Sequence, residues 1–153
     1  MTPAEDEKWM RRALALADEA GQKGEIPIGA VVVCDGEIVA EAGNLKEVSG
    51  DPLGHAEIIA IRAAAEKLGR WRLTGCTLYV TLEPCTMCAG AIIHSRVDRV
   101  VYAAKDPKAG AVESLYKILA DERLNHAPKV CTGVLEAEAS TQLKEFFKRL
   151  RNR

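Results

Sequence analysis

The chain has 153 residues, of which 48% are apolar and 28% charged, and its formal net charge is −1 at pH 7. That mix suits one globular domain, residues 1–153, and leaves any nucleic-acid surface to local groups of basic residues. No apolar run approaches a membrane span, and the acidic start Glu5-Asp6-Glu7 lacks the layout of a signal peptide, so a cytoplasmic location is expected.

In chain order, Thr2-Pro3-Ala4-Glu5 reads as an N-cap, a proline at the first helical position and an acid at the capping-box position. A helix follows to about Lys23, with Met10, Ala13, Leu14, Ala17 and Ala20 on its apolar face. Ile28–Cys34 and Glu37–Ala42 read as strands around an Asp35-Gly36 hairpin turn. Asn44–Leu53 reads as a loop, and a helix runs from His55 through the Ala-rich stretch to Leu68. Cys76–Leu82 is a buried strand that leads into a second helix, with Pro84 at its first position. Arg99–Ala104 is a strand, Lys105–Gly110 a loop, Val112–Leu119 a short helix, Lys129–Gly133 a last strand and Glu136–Leu150 a final helix. Strands joined through helices imply parallel pairing and a sheet covered on both faces, which the opening hairpin makes mixed.

The chemistry concentrates in His55-Ala56-Glu57 and Pro84-Cys85-Thr86-Met87-Cys88. Zinc takes nitrogen and sulfur ligands in a tetrahedron, and catalytic sites supply three and leave the fourth place to water. His55, Cys85 and Cys88 make three. Two cysteines three apart share a helix face, and the positive end of the helix dipole favours their thiolates. His55 and Glu57 are two apart and point to different sides of a regular helix. They can share a site only if the ion lies over the helix end, which makes Glu57 a poor ligand and a better acid/base. The combination of H-x-E and P-C-x-x-C is the pattern of zinc nucleobase deaminases.

Alternatives remain open at this point. A lone C-x-x-C can be a redox pair or half of a structural zinc site. A structural site needs a fourth ligand, and Cys34, Cys76, Cys131, His94 and His126 lack a ligand-like spacing to the pair. Cys34, Cys76 and Cys131 sit in strand-like runs and are expected as free thiols, a pattern that suits a reducing compartment. Basic residues gather at Lys144, Lys148, Arg149, Arg151 and Arg153, and more loosely at Arg96, Arg99, Lys105 and Lys108. Each group alone reads as a solvated face and gains meaning only beside chemistry on bases.

The segment Thr81-Leu82-Glu83-Pro84-Cys85-Thr86-Met87-Cys88-Ala89-Gly90-Ala91-Ile92-Ile93-His94-Ser95-Arg96 resembles the cysteine-motif region of bacterial tRNA-specific adenosine deaminases. The similarity extends through Pro27-Ile28-Gly29-Ala30-Val31, Asn44, Lys105-Asp106, Gly110-Ala111 and Phe146-Phe147. It implies a cytidine deaminase-like three-layer α/β/α sandwich with a five-stranded mixed sheet, one zinc per chain and a homodimer. It also implies conversion of the wobble adenosine of a tRNA anticodon stem-loop to inosine. Carried over by position, Asn44 would hydrogen-bond the target base, with Ile28 and Gly29 lining its pocket and Ala56 and Pro84 beside it. Asp106 would lie in the anticodon-facing loop, and Phe146 and Arg149 near the RNA. Glu57 would move protons during attack at C6 of the base. The chain departs from the family pattern at Leu53-Gly54, Leu45-Lys46 and Val112-Glu113, positions that ring the pocket without touching a ligand or Glu57. Two other readings are a small-molecule deaminase of guanine or cytosine and a zinc-stabilised RNA-binding module without catalysis. The basic C-terminal helix weighs against the first, and a positioned acid/base at Glu57 against the second.

Overall fold

A computed structural model describes residues 1–152. Helix α1 spans Pro3–Gln22, and the Thr2 hydroxyl accepts from the Glu5 N–H at 3.2 Å, so the expected cap forms. Strands β1 (Gly29–Cys34) and β2 (Glu37–Gly43) follow as an antiparallel pair. Asp35 and Gly36 both carry positive φ in the turn between them, which matches the twist of a two-residue hairpin. Helix α3 (Ala56–Leu68) leads to β3 (Cys76–Leu82), and α4 (Thr86–Ser95) to β4 (Arg99–Ala104). Strand β5 (Lys129–Thr132) and helix α5 (Glu136–Arg151) complete the fold.

The five strands lie in the order β2-β1-β3-β4-β5. β3 pairs antiparallel with β1 and parallel with β4, and β4 parallel with β5, so the sheet is mixed as expected. Alternation along the strands splits the core in two. Ala30, Val32, Leu78, Val80, Val100 and Tyr102 face α3 and α4, whereas Val31, Val33, Tyr79 and Val101 face α1 and α5. The central strands are buried on both faces, which is why they read as continuous apolar runs. On α1 the buried stripe takes Leu16, with Leu14 only partly covered.

Two elements differ from expectation. Within the 44–53 loop, Lys46–Ser49 forms one turn of helix, α2. Its free N–H groups at Glu47 and Val48 donate to the buried carboxylate of Glu25, so the cap comes from far back in the chain. The expected helix over 112–119 is instead a set of turns ending in a short 3₁₀ turn at Ile118–Ala120. The N–H groups of Val112, Glu113 and Ser114 converge on the Glu83 carboxylate, and those of Leu115 and Tyr116 both turn to the Gly110 carbonyl.

Among the described residues, no helix is long and apolar enough to cross a membrane. Cys34 and Cys76 are buried free thiols facing each other across β1 and β3, and Cys131 is a half-buried free thiol.

Candidate active site

Two helix N-termini meet at the end of the sheet where β3 ends and β1 begins. His55 is the N-cap of α3, and Cys85 the N-cap of α4, both in extended backbone. Pro84 therefore stands one place before the cap instead of inside the first turn, and its carbonyl accepts from the Ala111 N–H at 2.8 Å. Asp51-Pro52, which by residue type could open a helix, lies before α3 and does not start it. Asp51 turns the chain through its own side chain, which accepts from the Leu53 N–H at 2.8 Å.

His55 Nδ1 lies 3.6 Å from Cys85 Sγ and 3.5 Å from Cys88 Sγ. The three ligand atoms all fall within 4.8 Å of one another, close enough for one ion. Among the described residues, no fourth His, Cys, Asp or Glu joins them at that spacing. The hydrogen bond from Cys88 and the His55 ring pull the Cys85 thiol down to about 4 against burial, and donation to Cys85 pushes Cys88 well above the thiol range. The hydrogen bond to Cys85 raises His55. Two sulfurs sharing one proton form a site that favours added positive charge. Two soft sulfurs and one imidazole suit zinc, and the start of α4 favours the thiolate form in which cysteine binds it.

Glu57, in the first turn of α3, is only 4% exposed. Its Oε1 is buried with no hydrogen-bond partner. Burial, with the Cys85 charge adding to it, pushes its pKa up to about 7. The His55–Glu57 geometry is the one that the spacing required: both reach the helix end, from the cap and from the first turn. A buried carboxyl with a free oxygen beside a metal-ligand cluster can accept and return a proton near neutral pH.

Asn44 is buried, and its Oδ1 accepts from the Ala56 N–H at 2.8 Å. This supplies α3 with the side-chain cap that His55 does not provide. No hydrogen bond engages the Asn44 amide nitrogen among the described residues. Ala56 and Pro84 are buried, and Ile28 packs half-buried on the α3 side of the sheet. Gly29 lies on the other face. A Cβ there would come within 1.9 Å of the Ala13 carbonyl oxygen, so this glycine lets α1 lie directly on β1.

Asp106 shapes the 105–110 loop by accepting from Lys108 and Ala109 N–H groups at 3.0 and 3.2 Å. Helix α5 runs beside α1 in the same direction, with Gln142 donating to the Leu14 carbonyl and Phe146 near Gly21, so its basic end arrives beside the end of α1 and Lys108. Phe146 is buried there, and its neighbour Phe147 is the exposed ring, packed edge-on at 5.4 Å. Arg149 is exposed, and Arg153 lies outside the described residues.

Sequence reasoning missed Glu83. Only 2% exposed, it accepts from the N–H groups of Asp106, Val112, Glu113 and Ser114 at 2.8–3.1 Å, and from the Ser114 hydroxyl. Burial alone would raise its pKa, but these donors outweigh burial and hold it at about 2. The one available signal was an acid at the end of an apolar strand.

The chain matches the family model for the cytidine and deoxycytidylate deaminase zinc-binding region over residues 3–104. It is 50% identical over 149 residues to a tRNA-specific adenosine deaminase of Bacillus subtilis, covering 97% of this chain and 92% of that protein. A solved structure from a study of A-to-I editing by tRNA:A34 deaminases at the wobble position of transfer RNA superposes with a TM-score of 0.85 at 49% identity, covering 88% of this chain and 97% of the other. A guanine deaminase from Nitrosomonas europaea superposes with a TM-score of 0.76 at 28% identity, covering 92% of this chain and 83% of the other. With a zinc-type donor cluster on the matching fold, and close identity along nearly the whole chain, this protein belongs to the tRNA-specific adenosine deaminase family of zinc-binding deaminases.

Proposed function

We propose that this chain converts the wobble adenosine of a tRNA anticodon to inosine by zinc-dependent hydrolysis, as a single-domain homodimer in the cytoplasm. The observation that carries the chemistry is the buried Glu57 carboxyl, with its unpartnered Oε1, beside the His55–Cys85–Cys88 cluster. The three residues would hold one zinc ion, which when bound makes water a nucleophile near neutral pH. Glu57 would take the proton of the attacking water on Oε1, then return protons to the ring nitrogen and to the departing amino group. The balance is water in, ammonia out, with C6–NH₂ replaced by C6=O. The free amide nitrogen of Asn44 would donate to the base, while Ile28, Ala56 and Pro84 shape the pocket around it.

Substrate choice rests on features outside the metal cluster. Lys105, Asp106 and Lys108 stand on the loop after β4, and Lys144, Lys148, Arg149 and Arg151 on α5. Lys108, Lys144 and Arg151 share a groove of about 400 Å³ with Leu143, Phe147 and Leu150. Cations with an exposed aromatic ring suit the phosphates and bases of a single-stranded loop. A duplex base could not enter such a pocket, so the target must be unpaired or flipped out. A homodimer is supported by the family alone.

The test is inosine formation on an anticodon stem-loop, compared with free adenosine, cytidine and guanine, with mass analysis of nucleosides from treated total tRNA. The stem-loop should react far faster, and the same loop with guanosine at the target should be inert. Comparable turnover of free guanine would move the chain to the small-molecule branch, and no inosine on any tRNA would remove the assignment.

A further inference from the structure

We infer that Glu83 is a positioning residue that ties the RNA-facing loop to the cysteine helix and so sets where that loop stands relative to the metal cluster. The inference rests on the stem-loop reading above. Glu83 sits two residues before Cys85, and its carboxylate reaches across to the connection after β4. Backbone N–H groups at Asp106, at one end of that connection, and at Val112, Glu113 and Ser114, at the other, all donate to it. The Pro84 carbonyl adds a bond from the Ala111 N–H. One carboxylate thus closes the base of a loop that has Lys105 and Asp106 at one foot and Lys108 beyond them.

The sequence around the carboxylate is built to fit it. A Cβ on Gly110 would fall 2.4 Å from the Glu83 carboxyl carbon, so a glycine there gives the side chain its space. Glu83 has no free oxygen to offer a proton, and the metal cluster does not include it. What remains for it to control is geometry. A base held over the metal cluster and phosphates held by Lys105 and Lys108 must be gripped at one separation, and a loosened loop weakens that grip without touching the proton carrier.

Three variants test this, each purified with its zinc. Glu83→Gln places an amide NH₂ against a ring of N–H donors, and Gly110→Ala crowds the carboxylate while leaving Glu83 intact. Ser114→Ala removes the hydroxyl donor alone. For Glu83→Gln and Gly110→Ala, KM for the stem-loop should rise by about tenfold or more, with kcat changed less than about twofold and zinc content unchanged. Combined, the two should have no more effect than either alone, because they break the same contact. Ser114→Ala should raise KM by only about two- to threefold. Amide hydrogen exchange at residues 106 and 112–114 should speed up in the same order. If Gly110→Ala leaves KM and exchange as in the wild type, the inference fails. It also fails if the variants lose zinc, or lose kcat at constant KM, since Glu83 would then act on the metal cluster or the chemistry. If the wild-type chain does not edit the stem-loop, the substrate reading fails, and the exchange data still decide whether Glu83 anchors the loop.

Discussion

Glu57 and Glu83 are the same residue at nearly the same exposure, 4% and 2%, and their environments drive them to opposite states. Glu57 has an oxygen with no partner, and burial raises it to about 7. Glu83 is surrounded by donors and is held at about 2. Burial alone would raise both. The supply of N–H groups decides whether a buried carboxyl stays poised to move a proton or becomes a fixed anion that organises backbone. At this site both kinds stand within a few residues of the metal ligands, one on each helix start.

The largest expected effect breaks the poised member of the pair. Glu57→Gln keeps shape and loses the proton carrier, so turnover should fall by about 10²- to 10⁴-fold while zinc content and melting temperature hold. Inosine release and metal analysis on one preparation would show it, and substantial residual turnover would remove Glu57 from the proton path.

A third buried carboxylate, Asp6, sharpens the contrast by using a charge. It pairs in two hydrogen bonds with Arg99 at 2.6 and 2.8 Å and accepts from the Tyr79 hydroxyl at 2.7 Å. The Arg99 bond, acting against burial, holds its pKa below the ordinary Asp value. Asp6→Asn leaves a part-buried guanidinium without its counter-charge and should cost about 2–3 kcal/mol in denaturant unfolding. The ionised form is favoured in the fold, so this stabilisation is complete above about pH 5 and drains as the pH falls through the carboxylate range. The variant should lack that part of the acid dependence.

Asn44 separates holding from reading in a single side chain. Asn44→Asp retains the oxygen that caps α3 and loses the amide donor. Stability should therefore change by less than about 1 kcal/mol, while kcat/KM on the stem-loop falls by about tenfold or more. A large loss of stability would mean that the cap is its main duty.

The smallest effect concerns surface charge. Replacing Lys148, Arg149 and Arg151 with Ala should flatten the log–log salt dependence of stem-loop binding by about two units if all three meet phosphate. Zinc content should not change. An unaltered slope would make the end of α5 a solvated face.

What could be read from residue order was local. The Thr2 cap, the Asp35-Gly36 turn and the alternation of strands and helices depend on neighbours within a few positions, and the order of types named the layers. The donor cluster was legible for the same reason: His55 and the Cys85–Cys88 pair each stand at a helix start, and zinc chemistry restricts which residue types can meet there. Contacts made across the chain were not legible. Glu25 caps α2, Asn44 caps α3 and Glu83 gathers the N–H groups of 112–114, each through a side chain that reaches a segment at least twelve residues away. Gly29 and Phe146 read as pocket or surface residues, yet packing against α1 accounts for both. Propensity and spacing describe what a segment can form alone. Which buried oxygen finds donors and which is left without them depends on how segments pack, and that distinction separates Glu57 from Glu83.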